Sequence, residues 1–259
     1  MTETRHNTIS PDGPQRSVKA FIIHLARATD RRAQVTRLIE SLAIERLSIK
    51  AEVIDAVDGK TLSPEMVARV YRRSLHRPRY PFALGINEIA CFLSHRKAWQ
   101  AIIDQNLDVG LVLEDDVELT AQFPAAFEAA LQVADSNSFI RLPFNERESG
   151  REVFSSKDVR VIEPVPVGLR MMAQLIGRDA ARQLLAVTQT FDRPVDTLAQ
   201  MNWVTGLKPL SVLPGGINEI SSQLGGTTIQ HKKSFSDKMK REILRPFYRM
   251  QVRRFSAKS

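Results

Sequence analysis

Cysteine is almost missing: Cys91 is the single one among 259 residues. That excludes an internal disulfide and a thiolate cluster, and it agrees with a reducing compartment. Flanked by Ala90 and Phe92 in an apolar helical pattern, Cys91 reads as a buried structural thiol. Long apolar runs are missing too. None approaches the roughly 18 to 20 residues that span a bilayer, and Met1 to Ser17 is polar, without the hydrophobic centre of an export signal. The expected location is therefore the cytoplasm. A glycine-rich phosphate loop is also absent, which removes the fingerprint of dinucleotide-binding proteins and P-loop ATPases.

The formal charge of +8 is unevenly spread. From His231 onward, ten Lys or Arg face only Asp237 and Glu242, so the tail carries the excess and the body is balanced. A body that binds nucleic acid specifically is not indicated. The tail interleaves Met239, Ile243, Leu244, Phe247, Tyr248, Met250, Val252 and Phe255 with its basic residues, and Pro246 is expected to break it into two short helices. Such a basic amphipathic segment suits an anionic membrane surface, here the inner face of the cytoplasmic membrane, with a solvated tail as the rival reading.

The body, 43% hydrophobic over the whole chain, alternates strand and helix patterns and reads as α/β. Val18 to Leu25 gives a first strand and Thr29 an N-cap for a helix with apolar residues at Val35, Leu38, Ile39 and Leu42. The turn between them carries Arg27, Asp30, Arg31 and Arg32, where an anionic or ribosyl ligand could meet a helix N-terminus. Ala51 to Val57 is a second strand, and Ser63-Pro64-Glu65 opens another helix. Arg72, Arg73, Arg77 and Arg79 lie in a Pro-rich loop. Asn87 is the expected N-cap of a long helix whose apolar face is interrupted by Ser94-His95-Arg96-Lys97. Those polar residues need partners if buried: either His95 is a satisfied core histidine and Arg96 an ion pair, or the group lines a ligand pocket.

Val109 to Leu113 reads as a buried strand that ends in Glu114-Asp115-Asp116. Open α/β sheets place their ligands at such carboxyl ends. Three adjacent carboxylates repel by roughly 4 kcal/mol per pair at about 4 Å and an effective dielectric near 20. Solvent or a hard cation has to relieve that, and Mg2+ or Mn2+ is commonly shared between carboxylates and substrate phosphates. Glu114 and Asp116 are the candidate metal ligands, with Asp115 a donor contact and His231 a possible third ligand. A solvated acidic turn or a helix cap is the alternative. Further on, Phe123 to Val133 reads as a helix, Asn145 to Lys157 as a loop that could cover the site, and Lys208 to Leu213 as a strand before Pro214-Gly215-Gly216.

The strings Phe21-Ile-Ile-His-Leu with Asp30-Arg-Arg, Gly85-Ile-Asn-Glu-Ile-Ala-Cys-Phe-Leu-Ser-His-Arg-Lys-Ala-Trp99 and Leu113-Glu-Asp-Asp-Val-Glu118 resemble glycosyltransferase family 25 in order and separation. Arg193-Pro-Val-Asp-Thr-Leu198 resembles a later block of that family, so the resemblance covers roughly Val18 to Gln230. It implies a GT-A type fold, that is, a Rossmann-like nucleotide-binding mixed sheet flanked by helices, with a UDP-sugar donor and a divalent cation at the acidic motif. A polar lead to residue 17, a transferase domain over 18–230 and the basic tail over 231–259 follow as the expected organisation. His24 stands where the family often has Asn, Ala26 where it often has Asp, and Met172-Ala173-Gln174 where it has a small residue and tyrosine.

The resemblance implies donor contacts at His24, Arg27, Asp30, Arg31, Arg32, Ser94, His95, Lys97, Glu114 and Asp115. Asp196 is the first candidate for the general base of an inverting transfer, an N-cap role being its other reading, and Glu219, in a glycine-flanked loop, is the second. The expected activity is hexosyl transfer, galactose first and glucose as alternative, to a saccharide or glycolipid acceptor such as a lipooligosaccharide core. A non-catalytic metal-dependent saccharide-binding module is the rival class.

Overall fold

The structure, a computed structural model, describes residues 17–44, 47–224 and 235–256. Residues 1–16 of the expected lead and the candidate ligand His231 lie outside the described residues. Strand β1 (Val18–His24) lies between β2 (Ala51–Asp55) and β3 (Val109–Glu114), parallel to both. Beyond β3 the sheet turns mixed: β8 (Ala173–Gly177) runs antiparallel to it, followed by β5 (Phe139–Arg141), β9 (Leu210–Leu213), β7 (Arg160–Pro164) and β6 (Gly150–Ser155). A second, two-stranded sheet pairs β4 (Val117–Leu119) with β10 (Ile217–Glu219). This is the mixed α/β layout expected for the GT-A type, with the acidic motif at the carboxyl end of its parallel half.

Helices cover both faces of the sheet, and the strand sequences show why. In β1, Ala20 and Ile22 enter one apolar cluster with Leu38 and Leu42 of α1 (Arg32–Ala43) and Phe127 of α4 (Phe123–Val133). Phe21 and Ile23 enter the other, with Phe92, Trp99 and Ile102 of α3 (Ile86–Asp104) and Leu184 of α5 (Arg178–Val187). A strand buried on both faces loses the apolar-polar alternation and reads as a continuous run, as β1 and β3 do. On the α3 side Phe92 stacks on Phe191, centroids 3.9 Å apart. Ser63 caps α2 (Pro64–Val70) as expected, its hydroxyl accepting the Met66 N–H.

Several expectations are corrected. Thr29 opens a short 3-10 turn, Thr29–Arg31, ahead of α1 and does not cap that helix. Gly85, not Asn87, is the N-cap of α3; its N–H is accepted by Glu88 at 2.7 Å, and Asn87 lines the cavity described below. The stretch 145–157 holds strand β6, the last strand of the sheet among the described residues, whose residues are mostly exposed; an edge strand with little buried surface carries no apolar pattern to announce it. The tail is a single helix, α8 (Phe235–Ser256), with Pro246 inside it. The proline removes one backbone donor, but the turns beyond it are held to the body through buried Tyr248, Val252 and Ser256.

That docking has a polar centre. Arg193 is fully buried; its guanidinium pairs with Asp192 at 2.6 Å, and it donates to the backbone oxygens of His76 and Pro78 and to the Tyr248 hydroxyl at 2.7 Å. Burial pushes the Tyr248 phenol up to about 12. Tyr80 meets the Tyr248 ring edge-on at 5.4 Å, and Trp203 lies against Phe255 at 5.3 Å. Tyr248→Phe keeps the ring and removes one acceptor from a buried cation, a loss of about 1–3 kcal/mol. The urea midpoint of the full chain is expected to fall with the slope unchanged.

Candidate active site

Glu114 is the last residue of β3, and Asp115 and Asp116 form the turn into β4. The three carboxylates have different partners. Asp115 is buried and doubly held: His24 Nδ1 lies 2.7 Å from Oδ2 and Arg31 Nη1 donates to Oδ1 at 2.6 Å. Glu114 meets His95 Nε2 at 3.1 Å, and His95 is fully buried. Among the described residues Asp116 is paired with Arg31 at 3.6 Å, and its Oδ1 is buried without a hydrogen bond. Burial, reinforced by the charges of Glu114, Asp115 and Glu219 and opposed by Arg31, pushes the Asp116 carboxyl up to about 7. A buried oxygen atom without a donor, next to a second carboxylate, is what a hard cation would satisfy. The residues present therefore fit Mn2+ or Mg2+, with Asp116 and Glu114 as the holders. Asp115 is already neutralised by protein groups.

A cavity opens beside these acids, between the ends of β1 and β2 and helix α3. Arg27, Arg31, Ser94, His95 and all three acids line it, as expected. Ser94 acts through the backbone, accepting the Val57 N–H at 2.9 Å and donating to the Ala90 carbonyl at 2.8 Å, and so fixes the wall at Val57. Arg27 sits at the mouth on Asp58, whose carboxyl it holds below the usual range. Four expected donor contacts are elsewhere. His24 is not on the cavity wall and braces Asp115 from behind. Asp30 and Arg32 are exposed on the outer side of the turn, because the 3-10 turn directs Arg31 alone inward. Lys97 is two residues past His95, on a different face of α3, and bonds the Asp55 carbonyl. Among the described residues Arg96 has no ion-pair partner; it donates to the Leu185 carbonyl at 3.0 Å and to the Thr188 hydroxyl.

Cavity residues that the sequence reading passed over are Val57, Gly59, Asn87 and Cys91. Cys91 and His95 stand four apart on one face of α3 and, with Glu114, bring a thiol, an imidazole and a carboxylate within 4.8 Å of one another. Burial, with Glu114 and Asp196 adding to it, pushes the Cys91 thiol well up, so it is protonated and no nucleophile.

The two candidate bases come together on the other side of the acidic turn. Glu219 ends β10, opposite Val117, and the next residue's N–H binds the Asp116 carbonyl at 2.9 Å. Gly216, at φ +70 and with its Cα against the Phe123 backbone, permits the tight turn that brings β10 there. Asp196 is the second residue of a short helix, α6 (Val195–Ala199), whose N-cap is Pro194, so the capping alternative does not hold. Its Oδ1 accepts the Thr197 N–H at 2.6 Å and its Oδ2 the Arg170 N–H at 3.1 Å.

The sequence profile of glycosyltransferase family 25 (LPS biosynthesis protein) matches residues 17–199, well over half of the chain. Procollagen galactosyltransferase 2 of Homo sapiens is 33% identical over 128 residues, 48% of this chain and 20% of its own length. A probable inactive glycosyltransferase 25 family member 3 of Bos taurus is 28% identical over 177 residues, covering 65% of this chain and 28% of the relative. The matched region is thus a minor part of those longer proteins. A solved glycosyltransferase involved in the glycosylation of the major capsid of PBCV-1 aligns with 66% of this chain and 65% of its own, at 13% identity and a TM-score of 0.36.

The raised Asp116 carboxyl sets a stability slope. In the cation-free fold it ionises near 7, against 3.8 when unconstrained, so the native state binds more protons across that window and stability falls as pH rises through it. In chelator, Asp116→Asn is expected to melt above the wild type at pH 8, with the gap closing toward pH 4. Mn2+ should raise the melting temperature of the wild type at pH 8 and leave the variant unmoved.

Proposed function

The chain belongs to glycosyltransferase family 25, and we propose that it transfers a hexose, galactose in our reading, from a UDP-sugar to a hydroxyl of a saccharide acceptor with inversion. The observation that carries the proposal is the under-neutralised pair Glu114 and Asp116 at the end of β3, beside a cavity bounded by Val57, Asn87 and Arg31. A divalent cation bound there would supply Lewis acidity to the departing diphosphate.

The chain's own groups account for the remaining steps. Arg31 and His24 hold the Asp115 carboxylate in place, so the acidic turn does not rearrange when the donor arrives. The cavity between β1, β2 and α3 receives the nucleoside, with Arg27 at its mouth for a ribosyl or phosphate oxygen. Asp196 takes the proton of the acceptor hydroxyl as that oxygen bonds the anomeric carbon, and the bond to UDP breaks on the opposite face. Glu219 is the second candidate for that role.

A lipid-linked core saccharide or another cell-surface glycan is the acceptor class in this reading, with the enzyme at the cytoplasmic face of a membrane. What supports a peripheral seat is the outward row Leu244, Phe247 and Met250 on α8, flanked by exposed Arg245, Arg249 and Arg253. Leu244→Ser with Phe247→Ser should weaken sedimentation with anionic vesicles without lowering the melting temperature, since both side chains are outside the docked face.

The main test is UDP release from UDP-galactose, UDP-glucose and other UDP-sugars with Mn2+ and a saccharide acceptor. Release with UDP-galactose is expected, and Asp116→Ala should reduce it on the order of a hundredfold or more in a chain that still melts cooperatively. Saccharide binding without release from any donor would make the protein a binding module, a class to which a relative named as probably inactive lends weight.

A further inference from the structure

Arg170 is a bulky residue in a left-handed backbone, at φ +72, just ahead of β8. Such a conformation is uncommon outside glycine and persists where the surroundings impose it. Here they do so from three sides. Its carbonyl and that of Leu169 are gripped by Arg141, at 3.2 and 2.7 Å, and Arg141 is itself buried against Glu148 at 2.6 Å. Its guanidinium pairs with Glu219 and lies over the Phe144 ring, 5.0 Å from the centroid. The product of this turn is one hydrogen bond: the Arg170 N–H points at Asp196 Oδ2, 3.1 Å away.

Asp196 Oδ1 is occupied by its own neighbour, Thr197, through both the N–H and the hydroxyl. The Arg170 N–H is therefore the contact that ties Oδ2 to a different part of the fold. Resting on the transferase reading above, we propose that Arg170 is a positioning residue that acts through its main chain: its left-handed turn aims the base Asp196, and its side chain serves to hold that turn. A residue of this kind has an unusual substitution order. Glycine loses the guanidinium but adopts φ +72 without strain, so the N–H stays on Asp196. Alanine loses the same guanidinium and prefers to leave the left-handed region, so the N–H swings away.

The experiment compares the full-length wild type, Arg170→Gly and Arg170→Ala, each checked for a cooperative melt and for unchanged UDP binding by calorimetry. Arg170→Gly is expected to keep kcat within about threefold, whereas Arg170→Ala loses about tenfold or more, the scale of one hydrogen bond to a charged group. In the alanine variant the acid limb of the kcat–pH profile should also move to higher pH, because the ionised carboxylate has lost a donor. Equal losses in both variants, or a loss confined to the acceptor KM, would overturn the proposal and make the guanidinium an acceptor contact. A wild type that turns over no donor would overturn the transferase reading, and this inference with it; an active wild type with matched variants sinks only the inference.

Discussion

Three adjacent carboxylates at the end of a strand buried on both faces are the constraint to which the site is built. The fold neutralises them unequally. Asp115 receives a guanidinium and an imidazole, Glu114 receives one imidazole, and Asp116 is left with a cation at 3.6 Å and an oxygen with no donor. Compensating all three from within the protein would make a stable turn with nothing left to bind. Leaving one short of charge costs stability, and the cost is recovered only when a ligand of the right charge arrives. Arg31 is decisive in setting that level, since it touches Asp115 and Asp116 and comes from the 3-10 turn that displaces the expected helix start.

The architecture was legible where burial writes itself into residue type. Strands β1 and β3, helix α4 and the acidic turn were all placed from apolar runs and the charges that interrupt them. The site was legible in part: Glu114, Asp115 and Asp116 line one cavity with Arg31 and His95, two of the contacts that the family resemblance implied. What the sequence did not reveal has a common cause. His24, Lys97, Asp30 and Arg32 lie close along the chain to residues of the cavity wall, yet one or two steps along a strand or helix send a side chain to a different face. Arg170 and Phe144 gave no signal at all, because a left-handed arginine is chosen by tertiary partners far along the chain. Strand β6 escaped notice because an edge buries little, and α8 was read as two pieces because a proline inside a helix is tolerated when its neighbours are docked.

The acidic turn and Asp196 are joined by a short path of strand pairing, ion pair and hydrogen bond. Asp116 belongs to the turn between β3 and β4, β4 pairs with β10, and β10 ends in Glu219, whose guanidinium partner also carries the N–H on Asp196. A change in charge at Asp116 is therefore felt at Glu219 directly, through space, and at Asp196 through Arg170. In this fold Asp116, Glu219 and Asp196 therefore share one electrostatic neighbourhood.

The contact between Arg193 and Tyr248 has a bearing on the order in which the molecule assembles. The two residues are 55 positions apart, and Arg193 is completely enclosed once the tail helix lies down. Asp192 and the His76 and Pro78 carbonyls can meet the guanidinium without α8, but the phenol that completes its set of partners arrives only when that helix docks. Tyr248 is also later in the chain than every described strand of the sheet, so the closure of this contact comes after the strands have been made.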